Sequence, residues 1–173
     1  MSSWDNNLYD KVVGALIEQV NKYEPDLVVT AQNVVADNPA FPYVEYDIYD
    51  DGSNQTFEAM NNEPVLLGIQ MKAVSDVENE AKAMAHWLSK LFREQQPAVE
   101  LADQGIAVQR ALPMPPASDF LTSSYIFTSG TDLRIEVLDG FQDTTQSGEI
   151  ADFKMNYQIT KGDSTNAKTQ TND

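Results

Sequence analysis

Apolar residues recur at intervals of three and four in the first segment of the chain, which is the spacing of an amphipathic helix. Ser2 or Ser3 precedes this stripe as a favoured N-cap, and Pro25 follows it as a stop. The pattern predicts a helix that begins near Trp4 and packs closely at Gly14. Its predicted buried side is formed by Trp4, Leu8, Val12, Val13, Leu16, Ile17 and Val20.

A second helical stripe is preceded by a possible capping box, in which Ser75 and Glu78 satisfy each other's free backbone amides. Its apolar positions are Val77, Ala81, Met84, Ala85, Leu88, Leu91 and Phe92. Pro97 ends or kinks this helix, and a further helical turn closed by Gly105 is expected after it.

Six other runs have the two-residue alternation or the β-branched composition of strands, and they lie at 27–30, 44–48, 65–74, 106–110, 133–138 and 153–159. The second and third runs predict a hairpin with an open loop of about a dozen residues. The prolines between Pro113 and Pro116 are expected to end the fourth strand. The Ser/Thr-rich stretch from Pro116 to Gly130 is interpreted as a second long loop.

This order of elements predicts an α+β fold, with a mainly antiparallel sheet packed against two amphipathic helices. Residues 1–161 are expected to form a single domain. From 162 to 173 the chain is polar apart from one alanine, and a disordered tail is expected there.

The composition excludes several classes of protein. There are 27 acidic residues against 11 lysines and arginines, for a net charge of −16, and there is no cysteine and one histidine. Thiolate zinc sites, iron–sulfur ligation and disulfides are therefore excluded, and binding to nucleic acid through a basic patch is not expected. No signal peptide or membrane-spanning stretch is recognisable, which predicts a protein made in a cytoplasm without a membrane partner.

The charge is unevenly distributed. Between Tyr23 and Met71 there are nine acids and no lysine or arginine, whereas four of the eleven bases lie in or beside the second predicted helix. A solubilising surface is one explanation. The other is a surface that repels an anion or contacts a basic partner, and a contact between identical subunits would use the asymmetry.

Two weak chemical patterns are present. Asp47, Asp51, Gly52 and Glu58 match positions of an EF-hand loop, but the third position is Tyr49 and the flanks read as strands, so no metal site is expected. His86 is the only residue around which a small hydrolase could be built, and no nucleophile motif accompanies it. We therefore expect no enzyme activity, no catalytic residues and no cofactor.

The stretch Gln32-Asn33 followed by the run from Asn38 to Val44, together with the order of the predicted elements over 4–160, resembles the phage neck or tail terminator proteins. The resemblance implies a structural virion protein that forms a ring, typically a hexamer. Such a ring caps the tail tube, joins it to the head connector or head-closure protein, and lets DNA pass through its lumen without specific binding. It also implies assembly in the host cytoplasm and a final location in the virion neck.

With this resemblance, apolar and acidic residues in the two predicted loops become candidates for contacts between subunits or rings. These candidates are Asp50, Asp51, Phe57, Glu58, Met60, Phe120, Tyr125 and Phe127. Three alternatives remain open at this point: a head-closure or connector ring of the same neck, a monomeric acidic binding or inhibitor module, and the hydrolase around His86.

Overall fold

The computed structural model describes residues 8–32, 39–54, 62–121 and 124–140, without the side chains of 54, 119–121 and 124. Its elements are α1 (Leu8–Tyr23), β1 (Val29–Ala31), β2 (Tyr43–Asn54), β3 (Pro64–Ser75), α2 (Glu78–Leu91), α3 (Gln95–Asp103), β4 (Ile106–Leu121) and β5 (Ser124–Leu138). The five strands form one sheet in the order β1-β2-β3-β5-β4. β1 runs parallel to β2, and every other neighbouring pair is antiparallel.

The α+β prediction is confirmed in this form: a mixed, mostly antiparallel sheet with three helices. The short α3 accounts for the helical turn expected before Gly105, whose φ of +76° suits the end of a helix. The last predicted strand, at 153–159, and the tail from 162 lie outside the described residues.

The core is formed between the helices and one face of the sheet. Buried and half-buried positions alternate along much of β3 and over the second half of β5, and the buried residues include Leu67, Ile69, Leu133 and Ile135. The helices contribute the apolar stripes predicted from the sequence, among them Leu8, Val12, Leu16, Val20, Leu88 and Leu91. Burial of these stripes is what holds the helices on the sheet.

Two details of the helices differ from the predictions. The Ser75–Glu78 capping box is wrong: the Ser75 hydroxyl accepts a hydrogen bond from the Val77 amide at 3.0 Å and donates to the Glu80 carboxylate at 2.5 Å. Val77 precedes the helix and is 52% exposed. The close packing predicted at Gly14 is also wrong, since a Cβ there would meet nothing within 4 Å.

The prolines of 113–116 do not end the fourth strand. β4 continues through them to Leu121, and a register shift between Met114 and Ala117 takes up Pro115 and Pro116. β4 is an edge strand, so a proline there removes no hydrogen bond to a second neighbour. The predicted long loop between Pro116 and Gly130 is consequently wrong, because most of that stretch forms the β4–β5 hairpin.

Candidate functional site

The β4–β5 hairpin extends past the rest of the sheet. The last residue of β3, Ser75, pairs with Phe127, and β5 residues before Phe127 have a strand partner only in β4. We call residues 118–121 and 124–127 the arm. A two-stranded ribbon has little stability of its own in water, so an arm of this kind gains from a covering surface.

Two aromatic side chains lie along the arm. The rings of Tyr125 and Phe127 stack with their centroids 6.2 Å apart and an angle of 23° between their planes. Both occupy the same alternation as the buried Thr131 and Leu133, so they continue the helix-facing side of the sheet beyond its core. Tyr125 is nevertheless 55% exposed. Exposed aromatic area of this kind is typical of a contact surface.

The structure brings some of the predicted contact residues together and separates others. Phe120 pairs with Tyr125 through the backbone, so Phe120, Tyr125 and Phe127 belong to one arm. The acidic candidates lie toward the other end of the sheet, where Asp50 pairs with Gly68. The remaining candidates, Phe57, Glu58 and Met60, lie outside the described residues.

Asp50 and Asp51 were predicted in the open loop of the first hairpin and are in fact residues of β2. β2 continues to Asn54 through two register shifts, one on each side of Asp50, and Gly52 within it has a φ of +122°. The exposed Asp51 contributes its carbonyl, which accepts a hydrogen bond from the Tyr9 hydroxyl at 2.9 Å. This bond ties α1 to the end of β2.

Asp50 belongs to a polar cluster on the sheet face opposite the helices. The Arg134 guanidinium donates to the Asp50 carboxylate at 2.6 Å and lies 5.2 Å from the centre of the Tyr49 ring. The Tyr49 hydroxyl donates to the Asp132 carboxylate at 2.6 Å. No sequence signal pointed to this cluster, because its partners are more than 80 residues apart in the chain.

The cluster perturbs the ionisation of its members. The hydrogen bond to Asp50 raises the pKa of Arg134. Partial burial, followed by the hydrogen bond to Asp132, raises the pKa of the Tyr49 phenol. Arg134 and Asp50 remain about a third exposed, so solvent screens their ion pair and it contributes little to the stability of the fold. The cluster therefore orders the open face of the sheet more than it stabilises the fold.

The two weak chemical patterns of the sequence lead to no assembled site in the described residues. Asp47 and Asp51 are strand residues, and Glu58 lies outside the description. His86 is exposed on α2. Within the described ranges, no group of three or more histidine, aspartate and glutamate residues is arranged to hold a metal ion. No described helix is long and apolar enough to cross a membrane.

Comparison with known proteins gives little further information. No family model matches the chain, and no curated protein matches it. A chain in a solved structure described as "Virion of native gene transfer agent (GTA) particle" is similar with a TM-score of 0.42 and 12% identity, over 72% of this chain and 92% of that chain. A likeness of this degree assigns no function.

Proposed function

We propose that this chain is a structural protein of a tailed-phage virion, which forms a ring in the neck, caps the tail tube and joins it to the head connector. The single observation that carries the proposal is the arm, because it extends past the end of β3 with a stacked aromatic pair whose Tyr125 side chain is 55% exposed. The sequence resemblance described above supplies the identity of the assembly.

Several features of the described chain support a binding role of this kind. The arm lies beyond the buried core, so a contact made there requires no change in the packing of the core. The net charge of −16 suits a ring through which DNA must slide, since carboxylates repel phosphates and a basic lumen would retain them. The proposed protein acts through contacts alone and performs no catalytic step.

The acidic charge also favours a second candidate, a monomeric module that binds a basic partner. Light scattering across concentration and at two salt levels separates the two functions. A mass near six times the 19.2 kDa subunit, with rings in negative stain, supports the neck protein. A monomer under all conditions that also fails to cap tail tubes of the same virus contradicts it and favours the acidic module.

A pair of variants tests the arm itself. Tyr125→Ser removes the exposed ring of the arm, and we expect it to weaken ring formation or tube capping at least tenfold with an unchanged unfolding midpoint. Leu138→Ser is the matched control, since Leu138 is 48% exposed at the opposite end of the same strand. Equal assembly of both variants and the natural protein would overturn the role of the arm.

A further inference from the structure

An open groove of about 490 Å³ lies between α2 and the turn that joins α1 to β1. Leu27, Met84 and Trp87 line it and pack against the hydrophobic core. The charged residues of its lining are all carboxylates, namely Glu24, Asp26 and Glu80. We call this the acidic groove. An apolar floor with a negative rim favours an occupant that combines apolar side chains with positive charge.

A second open groove, of about 440 Å³, lies between the end of α2, the start of α3 and β4. Its charged lining residues are Arg93 and Arg110, and no carboxylate residue lines it. Both arginines are exposed, and neither takes part in an ion pair within the described residues. Leu112, which is 38% exposed, supplies apolar surface in the same lining. We call this the basic groove.

The two grooves lie toward opposite edges of the sheet. The acidic groove includes Pro42, next to β2, and the turn leading into β1, whereas the basic groove includes β4. β1 and β4 are the two edges in the strand order. Within one copy of the chain the two grooves are therefore held apart at opposite edges of the sheet, and they can meet only between copies.

We infer that the acidic groove of one copy binds the basic groove and β4 edge of the next copy, head to tail. This inference rests on the proposed ring and specifies its subunit contact. Because the contact joins two different surfaces, a growing row of copies keeps one free surface of each kind at its two ends, and both are used only when the row closes into a ring.

The charge of the whole chain explains why a second copy is the occupant. With a net charge of −16, two copies repel each other in most orientations, so the arrangement that places Arg93 and Arg110 against Glu24, Asp26 and Glu80 is selected by charge. The required combination of exposed arginines and apolar surface is already present in the chain itself. A basic segment of another neck protein is the competing occupant.

Engineered cysteines test the contact directly, because the natural chain has no cysteine to interfere. Ala83→Cys places a thiol in the acidic groove and Ala98→Cys places one in the basic groove. Equal amounts of the two variants are mixed and treated with a short bis-maleimide. We expect the yield of cross-linked mixed dimer to be at least five times the yield of cross-linked dimer from either variant alone.

Gly14→Cys supplies the control thiol, since Gly14 is exposed on α1 with open space around it. We expect this thiol to cross-link poorly with either groove variant. The double variant Ala83→Cys with Ala98→Cys is expected to give a ladder that ends at one closed species. Equal yields for the groove pair and for the control pairs would overturn the contact.

Charge reversal gives an independent test. Glu24→Lys with Asp26→Lys makes both grooves of a copy basic, and Arg93→Glu with Arg110→Glu makes both acidic. Each variant alone is expected to lose at least tenfold in self-association, and a mixture of the two is expected to assemble again into an alternating ring. Recovery of assembly in the mixture would show that each variant alone lost the contact between grooves and was not simply misfolded.

The outcomes separate this inference from the proposed function. If the natural protein forms rings or caps tubes while all charge variants assemble normally, the contact is overturned and the neck function stands. If the natural protein neither self-associates nor caps tubes, and the groove thiols do not cross-link, both fail. If the acidic-groove variant alone loses binding to tubes while self-association is intact, the occupant is another neck protein and the inference is overturned.

Discussion

The ring of Tyr49 lies directly over Gly68 on the open face of the sheet. A Cβ added at Gly68 would come within 2.7 Å of the Tyr49 Cζ atom and 2.9 Å of the Asp50 Cβ atom. The missing side chain of Gly68 thus makes room for the ring that donates to Asp132 and lies beside Arg134. The polar cluster depends on a glycine in the middle of the central strand β3.

Alanine substitutions at two glycines are expected to have opposite effects. Gly68→Ala should destabilise the fold by about 1–3 kcal/mol, the usual cost of overpacking, because Tyr49 and the β2 backbone must both move. Gly14→Ala should stabilise it by about 0.5–1 kcal/mol, because Gly14 is an exposed helix position where a methyl group meets nothing. Urea unfolding of the three proteins measures both differences.

The Glu100 carboxylate is expected to titrate far below its ordinary range. Hydrogen bonds from Lys22, Gln19 and Gln96 lower its pKa from 4.5 to about 2. A carboxylate with a lowered pKa in the folded state contributes stability above about pH 4.5, and this contribution is lost as the pH falls toward 2. The side-chain carboxyl carbon of Glu100, followed by NMR, should therefore have its midpoint near pH 2.

The matched variant for this titration is Lys22→Met, which removes the partner at 2.5 Å and leaves the hydrogen bonds from Gln19 and Gln96. It should raise the pKa of Glu100 toward its ordinary value and move the acid transition of the whole protein to higher pH. A midpoint near 4.5 in the natural protein would show that this link between α1 and α3 does not form.

The prolines of β4 are expected to protect the sheet edge. A proline has no N–H to offer a further strand, and Pro113, Pro115 and Pro116 lie exposed in the middle of a 16-residue edge strand. Replacing Pro115 and Pro116 by threonine should increase irreversible aggregation several-fold, measured by light scattering on incubation. Pro25→Thr, in the turn after α1, serves as the control and should aggregate like the natural protein.

Repeating patterns in the sequence were sufficient to predict the helices and the strands that form the core. Leu8, Val12 and Leu16 recur every four residues and are all buried, and the alternation of Leu67, Ile69 and Met71 follows the inner face of β3. These patterns are reliable because core burial imposes them on every turn of a helix and every second residue of a strand.

The arm could not be recognised in the same way. The sequence from Pro116 to Ser124 has no two-residue alternation of apolar and polar residues, so it resembles a loop. Composition misled the interpretation further, since prolines and serines are typical of turns. The polar cluster was missed for another reason. Asp50 and Arg134 are brought together because β2 and β5 both pair with β3, and a single sequence does not indicate which strands pair.

The pairing of β3 with β5 also has a consequence for how the chain folds. Twelve successive pairs join residues 64–75 to residues 127–138, and the whole of α2, α3 and β4 lies between them in the chain. The β2–β3 and β4–β5 hairpins each form from neighbouring segments, but the pairing of β3 with β5 requires the closure of a long loop. We therefore expect this pairing to form late in folding. We also expect the amides of Leu67, Ile69 and Ile135 to exchange with deuterium only when the entire sheet opens.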